Sequence, residues 1–142
     1  MTIDVEFAKY KDLLLTKKCL LHLAIVRRDG TPHLTPLWFS MTPKQFEDRI
    51  ICFNTAKGRV KAHLLRKGTK CSMTVVDPSN MYRYIGLEGE VEEIIEGEIA
   101  ENHFKDLVQK YVESGQWRYR SPEEERLMYK VRVHRTFGSY YT

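Results

Sequence analysis

Residues 19–40 read CLLHLAIVRRDGTPHLTPLWFS. Two apolar runs rich in β-formers flank Asp29-Gly30. Asp-Gly between such runs is a strong hairpin signal, both turn positions being expected to tolerate positive φ. The spacing predicts a strand over about 19–27 and a second over about 31–40. Pro36 has no N–H to give a ladder, so it demotes part of the second strand to an edge or a bulge. Alternation sets His33, Thr35, Leu37 and Phe39 on one face and Leu34, Pro36 and Trp38 on the other.

Working outward, residues 4–17 set Val5, Ala8, Leu13 and Leu15 among charges, which predicts a first helix. Residues 41–49 form a polar connection. IICFNT, from Ile50, does not alternate and reads as a third strand buried on both faces. GRVKAHLLRKG, from Gly58, predicts a short helix with Val60, Leu64 and Leu65 inward and Gly68 as its C-cap. KCSMTVVD, from Lys70, alternates as a fourth strand, and Asp77 to Asn80 is a turn by composition. MYRYIGLEGEVEEII, from Met81, is a fifth strand in which Gly86 and Gly89 permit bends or bulges. A helix follows over about 97–114, with Ile99, Phe104, Leu107, Val108 and Tyr111 as its inner stripe. After a polar, aromatic segment, RLMYKVRVHRTF from Arg126 makes the last strand. Strands outnumber helices and neighbour one another through short connections. The expected fold is mainly β with peripheral helices, a six-stranded antiparallel closed or split β-barrel forming one domain over 1–142. One strand–helix–strand unit is too few for a doubly wound parallel sheet.

Hydrophobic residues make 42% and charged residues 30% of the 142, a globular balance that excludes a disordered chain. No apolar run approaches the roughly 20 residues of a membrane span, and the acidic, helix-periodic N-terminus is unlike a signal peptide. Cys19, Cys52 and Cys71 form no CxxC pair and sit in apolar runs, as small buried hydrophobes do. They imply a reduced, cytoplasmic setting and no structural metal. The net charge of +4 is unevenly spread: six Lys/Arg and no acid over Lys57–Lys70, seven Glu and no base over Ile85–Glu101.

The basic run opens with FNTAKGRVKAHLL, Phe53 to Leu65. Lys57, Arg59 and Lys61 crowd the start of a helix, the positive end of the backbone dipole, where acids are favoured. A phosphate there would take the free N–H groups of the first turn, a Thr55 hydroxyl donor and the three charges. Arg59 can fork onto two phosphate oxygens, and Gly58 allows close approach. The pattern is neither GxxxxGK[ST] nor GxGxxG. The alternative is a surface helix with Thr55 as an ordinary N-cap. Beside it, the irregular backbone expected around Pro36 suits the polar edge of a flat heteroaromatic ring, while Trp38 and Phe39 as plain core aromatics remain the other reading.

AIVRRDGTPHLTPLWF, FNTAKGRVKAHLLRKGTKCSMTVVD and YRYIGLEGEVE, in this order and spacing, resemble the pyridoxamine 5'-phosphate oxidase-like flavin-binding split-barrel proteins. The likeness is nearest to the branch that uses the deazaflavin coenzyme F-420, with its DGxPHxTPxWF and TAxGRxKxxxL patterns, and covers about residues 19–95. It implies a six-stranded split barrel that forms a homodimer with cofactor clefts at the subunit interface. F-420 or FMN would be held at Asn54, Thr55, Ala56, Lys57, Arg59 and Lys61, with Leu37, Trp38 and Phe39 behind the ring. Trp117 and Tyr119 would reach a cleft across the dimer. The end, HRTFGSYYT, lacks the basic segment with which the vitamin-forming oxidases hold pyridoxal phosphate, which argues against vitamin B6 oxidation.

The activity implied is an oxidoreductase moving a hydride between F-420 or FMN and a small conjugated substrate. The alternative is a non-catalytic flavin or tetrapyrrole carrier or sensor. No side-chain nucleophile stands out and no catalytic residue is assigned, although His33 lies on the strand that would carry the cofactor. Nucleic-acid binding through 57–70 is disfavoured by the lack of stacking aromatics there, and no metal or membrane is expected.

Overall fold

The computed structural model describes residues 7–139. Its elements are α1 (Lys11–Leu15), β1 (Leu21–Val26), β2 (Pro32–Leu37), β3 (Phe39–Ser40), α2 (Pro43–Asp48), β4 (Ile50–Ala56), α3 (Val60–Leu64), β5 (Lys70–Val76), β6 (Tyr84–Ile95), α4 (Glu98–Tyr111) and β7 (Arg126–Gly138). The strands form one antiparallel sheet in the order β2-β1-β5-β6-β7-β4-β3. The two outermost strands are consecutive in the chain and separated by Trp38 alone. The expected second strand therefore exists, but breaks at Trp38: its first half pairs with β1 and its last two residues with β4. That broken strand joins the two ends of the sheet and curls it into the split barrel expected from the sequence.

The hairpin at Asp29-Gly30 is present with a different turn. Arg27 N–H donates to Thr31 O (2.8 Å) and Gly30 N–H to Arg27 O (2.9 Å). Gly30 alone takes a positive φ, 89°. This is a three-residue loop closing on a left-handed glycine. Asp29 Oδ1 fixes it by accepting from Thr31 N–H (2.9 Å) and Thr31 Oγ1 (2.6 Å).

The barrel interior holds one continuous apolar core that includes Leu21, Leu23, Phe39, Phe53, Met73 and Tyr129. β4 is buried along nearly its whole length because its second face is covered by α4, where Ala100 meets Cys52 and Met128. Ile99 of α4 points to solvent; Ala100 and His103 take its expected place on the buried side. Leu65, the C-cap of α3, is buried but Val60 is half exposed, and the helix ends before Gly68, whose φ of 90° serves the following turn. Among the described residues near the N-terminus, Phe7, Tyr10, Leu13 and Leu14 are buried and Ala8 is exposed; Val5 lies outside them.

Four of the seven glutamates of the acidic run form the β6 half of a cross-strand ladder: Glu88–Arg135 (3.3 Å), Glu90–His134 (3.4 Å), Glu92–Arg132 (2.8 Å) and Glu93–Lys130 (3.7 Å). Register shifts fall at Glu88/Gly89 and Val91/Glu93. Gly89 thus marks a bulge, whereas Gly86 lies under the ring of Phe137, where a Cβ would come within 2.1 Å. Cys19, Cys52 and Cys71 are buried and free. No helix among the described residues is long and apolar enough to cross a membrane.

Candidate functional site

Where the barrel splits, a cleft opens. Phe39 pairs with Phe53 and Ser40 with Cys52, so an unbroken strand would set Trp38 opposite Asn54 and Leu37 opposite Thr55. Instead the chain kinks at Trp38 and β2 turns away to β1, leaving Asn54 and Thr55 with no strand on that side. The gap is a cleft of about 300 Å³ between Pro36, Leu37 and Trp38 on one wall and Asn54 and Thr55 on the other. Arg59, Lys61 and Arg126 line its polar end, while Leu20, Leu107 and Trp117 line its apolar end.

The aromatic end is built as a column. Trp38 lies flat on Tyr111, with centroids 5.3 Å apart and planes 6° from parallel. Trp117 meets Trp38 edge-on at 5.2 Å, and Tyr119 meets Trp117 at 5.1 Å. Trp117 therefore joins the cleft of its own chain. Tyr111 is pinned beneath by donating its hydroxyl to Cys19 O, and burial pushes that phenol well above the ordinary tyrosine value.

At the polar end, Thr55 is 1% exposed and its Oγ1 has no hydrogen-bond partner among the described residues. A buried hydroxyl without a partner costs roughly 1–3 kcal/mol, so such groups are rare without a reason. Lys61 makes no ion pair among the described residues. Burial and the charges of Arg59 and Arg126 push its ammonium below the ordinary lysine value. Three like charges converging on one cleft beside an unpaired donor is an arrangement that an anion completes. Thr55 does not cap α3: the N-cap is Arg59, with extended backbone and no capping side chain. The five-residue helix is also too short to supply much dipole.

The remaining expected residues lie around this cleft and not in its lining. Phe39 is fully buried in the barrel core, and Ala56 is buried at the end of β4. Lys57 turns outward to Glu96 and Glu125, whose carboxylates hold its ammonium above the ordinary value. His33 sits at the far end of β2, where its Nδ1 lies 3.1 Å from Arg27 Nη2.

Arg126, which the sequence did not single out, completes the polar wall, and His103 supports it from behind through Asn54. Arg126, the first residue of β7, is 6% exposed. Its Nε donates to Asn54 Oδ1 (2.7 Å), its Nη1 to Glu124 Oε2 (2.9 Å), and its guanidinium lies 3.9 Å from the centre of the Phe104 ring. An arginine can only donate, so Asn54 Oδ1 is the acceptor and Asn54 Nδ2 must donate, to Ala100 O (3.0 Å) and His103 Nδ1 (3.1 Å). His103 is then protonated on Nε2, which donates to Ser40 Oγ at 2.8 Å. Burial holds this imidazole neutral, with its pKa pushed down to about 4. The signal for Arg126 was the lone cation at the start of an apolar strand, and only the fold shows that it faces β4.

Residues 8–139 match the family model described as pyridoxamine 5'-phosphate oxidase. No curated protein matches the chain. Among solved structures, an F420 reductase is similar at 27% identity, with 89% of this chain and 94% of that one aligned and a TM-score of 0.71. The FAD-binding protein from Mycobacterium smegmatis shares the fold at 14% identity and a TM-score of 0.59, over 92% of this chain and 91% of that one. HupZ from Group A Streptococcus does so at 21% and 0.60, over 92% and 91%. A match along nearly the whole chain, on a split barrel with its cleft at the split, means that this chain belongs to the pyridoxamine 5'-phosphate oxidase family.

Proposed function

We propose that the chain is an oxidoreductase that binds F-420 or FMN in the cleft beside Trp38 and serves hydride transfer to or from a small conjugated substrate. The observation that carries this reading is the orphaned Thr55 hydroxyl on the wall of a cleft edged by Arg59 and Lys61. These residues fit a phosphate: one neutral donor already buried, one fork donor and one point charge. Pro36, Leu37 and Trp38 would hold the ring of the cofactor. There the kinked backbone is free of the β4 ladder, and the indole, stacked on Tyr111, gives a flat wall. The likeness to an F420 reductase, at 27% identity, supports the deazaflavin over FMN.

When bound, the tricyclic ring supplies the hydride chemistry. The chain's residues then bind and orient. Thr55, Arg59 and Lys61 fix the anionic end, while Leu37 and Trp38 set the plane of the ring. Leu20, Leu107 and Trp117 keep water from the apolar end. Asn54 acts from the cleft wall by holding Arg126, while Phe39 and Ala56 act from behind, by holding β3 and β4 together where β2 turns away. Lys57 contributes charge only by exchanging Glu96 or Glu125 for the ligand. The reading also carries a homodimer as its assembly.

Two titrations test it: purified protein with F-420, and separately with FMN, each repeated on an Arg59→Ala/Lys61→Ala double variant. Tight binding of one cofactor by the wild type, lost in a double variant that remains folded, is the expected result. Unchanged affinity in the variant would sink the assignment of the phosphate subsite. Binding without turnover against any conjugated acceptor would move the chain to a carrier role.

A further inference from the structure

Arg126 is the most buried Lys or Arg among the described residues, and neither the family likeness nor the basic run accounts for it. Its side chain is 7% exposed. A buried charge is costly unless it is paired and hydrogen-bonded, so a chain keeps one only where something gains from it. Two of its donor nitrogens are committed, Nε to Asn54 and Nη1 to Glu124, and one face of the guanidinium is seated on Phe104. Its backbone N–H is held by Glu101 Oε2 at 3.1 Å. The third nitrogen, Nη2, makes no hydrogen bond among the described residues, although the residue lines the cleft.

The other cations of the cleft differ in kind. Arg59 is half exposed and reaches Glu124 only at 3.6 Å, and Lys61 has no counter-ion among the described residues. Both must lose side-chain freedom to hold a ligand. Arg126 has already lost it in the folded state, which lowers the entropic cost of binding.

We infer that Arg126 is the fixed anchor of the anion subsite, presenting Nη2 to the phosphate beside the Thr55 hydroxyl, with Arg59 and Lys61 closing over it. The inference rests on reading the cleft as the site of a phosphate-bearing cofactor. Glu124 and Asn54 are positioning residues: they act through Arg126 by fixing the plane of its guanidinium. Lysine cannot replace it, because one ammonium cannot reach Asn54 and Glu124 together and still point into the cleft.

Inorganic pyrophosphate is the probe, because it carries the charge without the ring. Wild-type protein gains thermal stability with rising pyrophosphate. Arg126→Lys shows an apparent affinity weakened by about tenfold, the worth of one charge-assisted hydrogen bond. Lys105→Ala, exposed on α4, keeps the wild-type response. A wild-type protein indifferent to pyrophosphate, or a lysine variant within about twofold of it, overturns the inference. Should the variant not fold, nitrogen-15 spectra of the wild type decide. The Arg126 guanidinium signals shift on titration if it binds the anion, and their constancy overturns the inference equally. Failure of both F-420 and FMN to bind, with the pyrophosphate response and its dependence on Arg126 intact, would remove the proposed function and leave the anchor standing.

Discussion

At Thr55 a single hydroxyl separates stability from binding. Thr55→Val keeps the shape and β-branching of the side chain while removing a donor that has no partner. The unliganded variant is expected to be more stable by about 1 kcal/mol, read as a rise in Tm, while its affinity for the phosphate-bearing cofactor falls. Opposite signs are the point: a threonine serving packing alone would raise Tm on replacement without moving the affinity. His103 gives a residue-scale prediction in pH. In the unfolded chain its imidazole titrates near 6.5, and in the fold near 4. Between these values the unfolded chain takes up a proton that the folded one refuses. Stability present above about 6.5 is therefore lost as pH falls toward 4, by up to about 3 kcal/mol. His103→Gln should flatten that part of the stability–pH curve relative to wild type in denaturant titrations from pH 7 to 4. A parallel pair of curves would show that the histidine is protonated without cost.

Among the elements, the β5–β6 turn is tied to α1 by charge. Arg83 reaches Asp12 Oδ1 (2.6 Å) and Asp77 Oδ2 (3.0 Å), and Lys17 reaches Asp77 Oδ2 (3.2 Å). Asp77 also accepts from the Ser79 N–H and hydroxyl, which, with Arg83 and Lys17, hold its carboxyl well below the usual range. Asp77→Ala leaves the largely buried Arg83 short of one partner and should cost about 3 kcal/mol by chemical denaturation. The bulge in β6 gives a sharper case. A Cβ at Gly89 would stand 2.1 Å from Arg132 O, a backbone atom with no room to yield. Gly89→Ala is expected to lower Tm by more than about 5 °C, a shift equivalent to roughly 1.5 kcal/mol or more in a domain of this size; an unchanged Tm would mean that the bulge relocates. Gly89 was readable as a bulge because a glycine in a strand has few other uses. Gly86 carried the same signal with a different cause, the Phe137 ring, and a contact across 51 positions leaves no local trace.

At the scale of the molecule, what was legible in the chain was whatever depends on neighbours in sequence. The hairpin around Gly30, the doubly buried β4 and the basic loop at 54–61 all follow from local pattern. The break at Trp38 was half legible: Pro36 announced irregular backbone, but only the closure of the sheet shows why the strand must change partners two residues later. The five-residue α3 proved shorter than its pattern, so the expected dipole site became a cleft between strands, with Thr55 and the cations still meeting there. Arg126 could not be seen, since nothing near it in sequence names Asn54, 72 positions away, as its partner. Lys57 shows the converse: a cation in the right motif, drawn off by Glu96 and Glu125 that the motif does not contain.

The aromatic column has an optical consequence. The chain has two tryptophans, Trp38 and Trp117, and they stand 5.2 Å apart at an angle of 78° in the same cleft. All of the protein's indole emission therefore arises beside the proposed ring, and two indoles so close and so crossed couple as transition dipoles. Occupation of the cleft should quench that emission by energy transfer, and any swing of the segment carrying Trp117 should change the near-ultraviolet circular dichroism. The protein needs no label to report whether its cleft is full or its wall has moved.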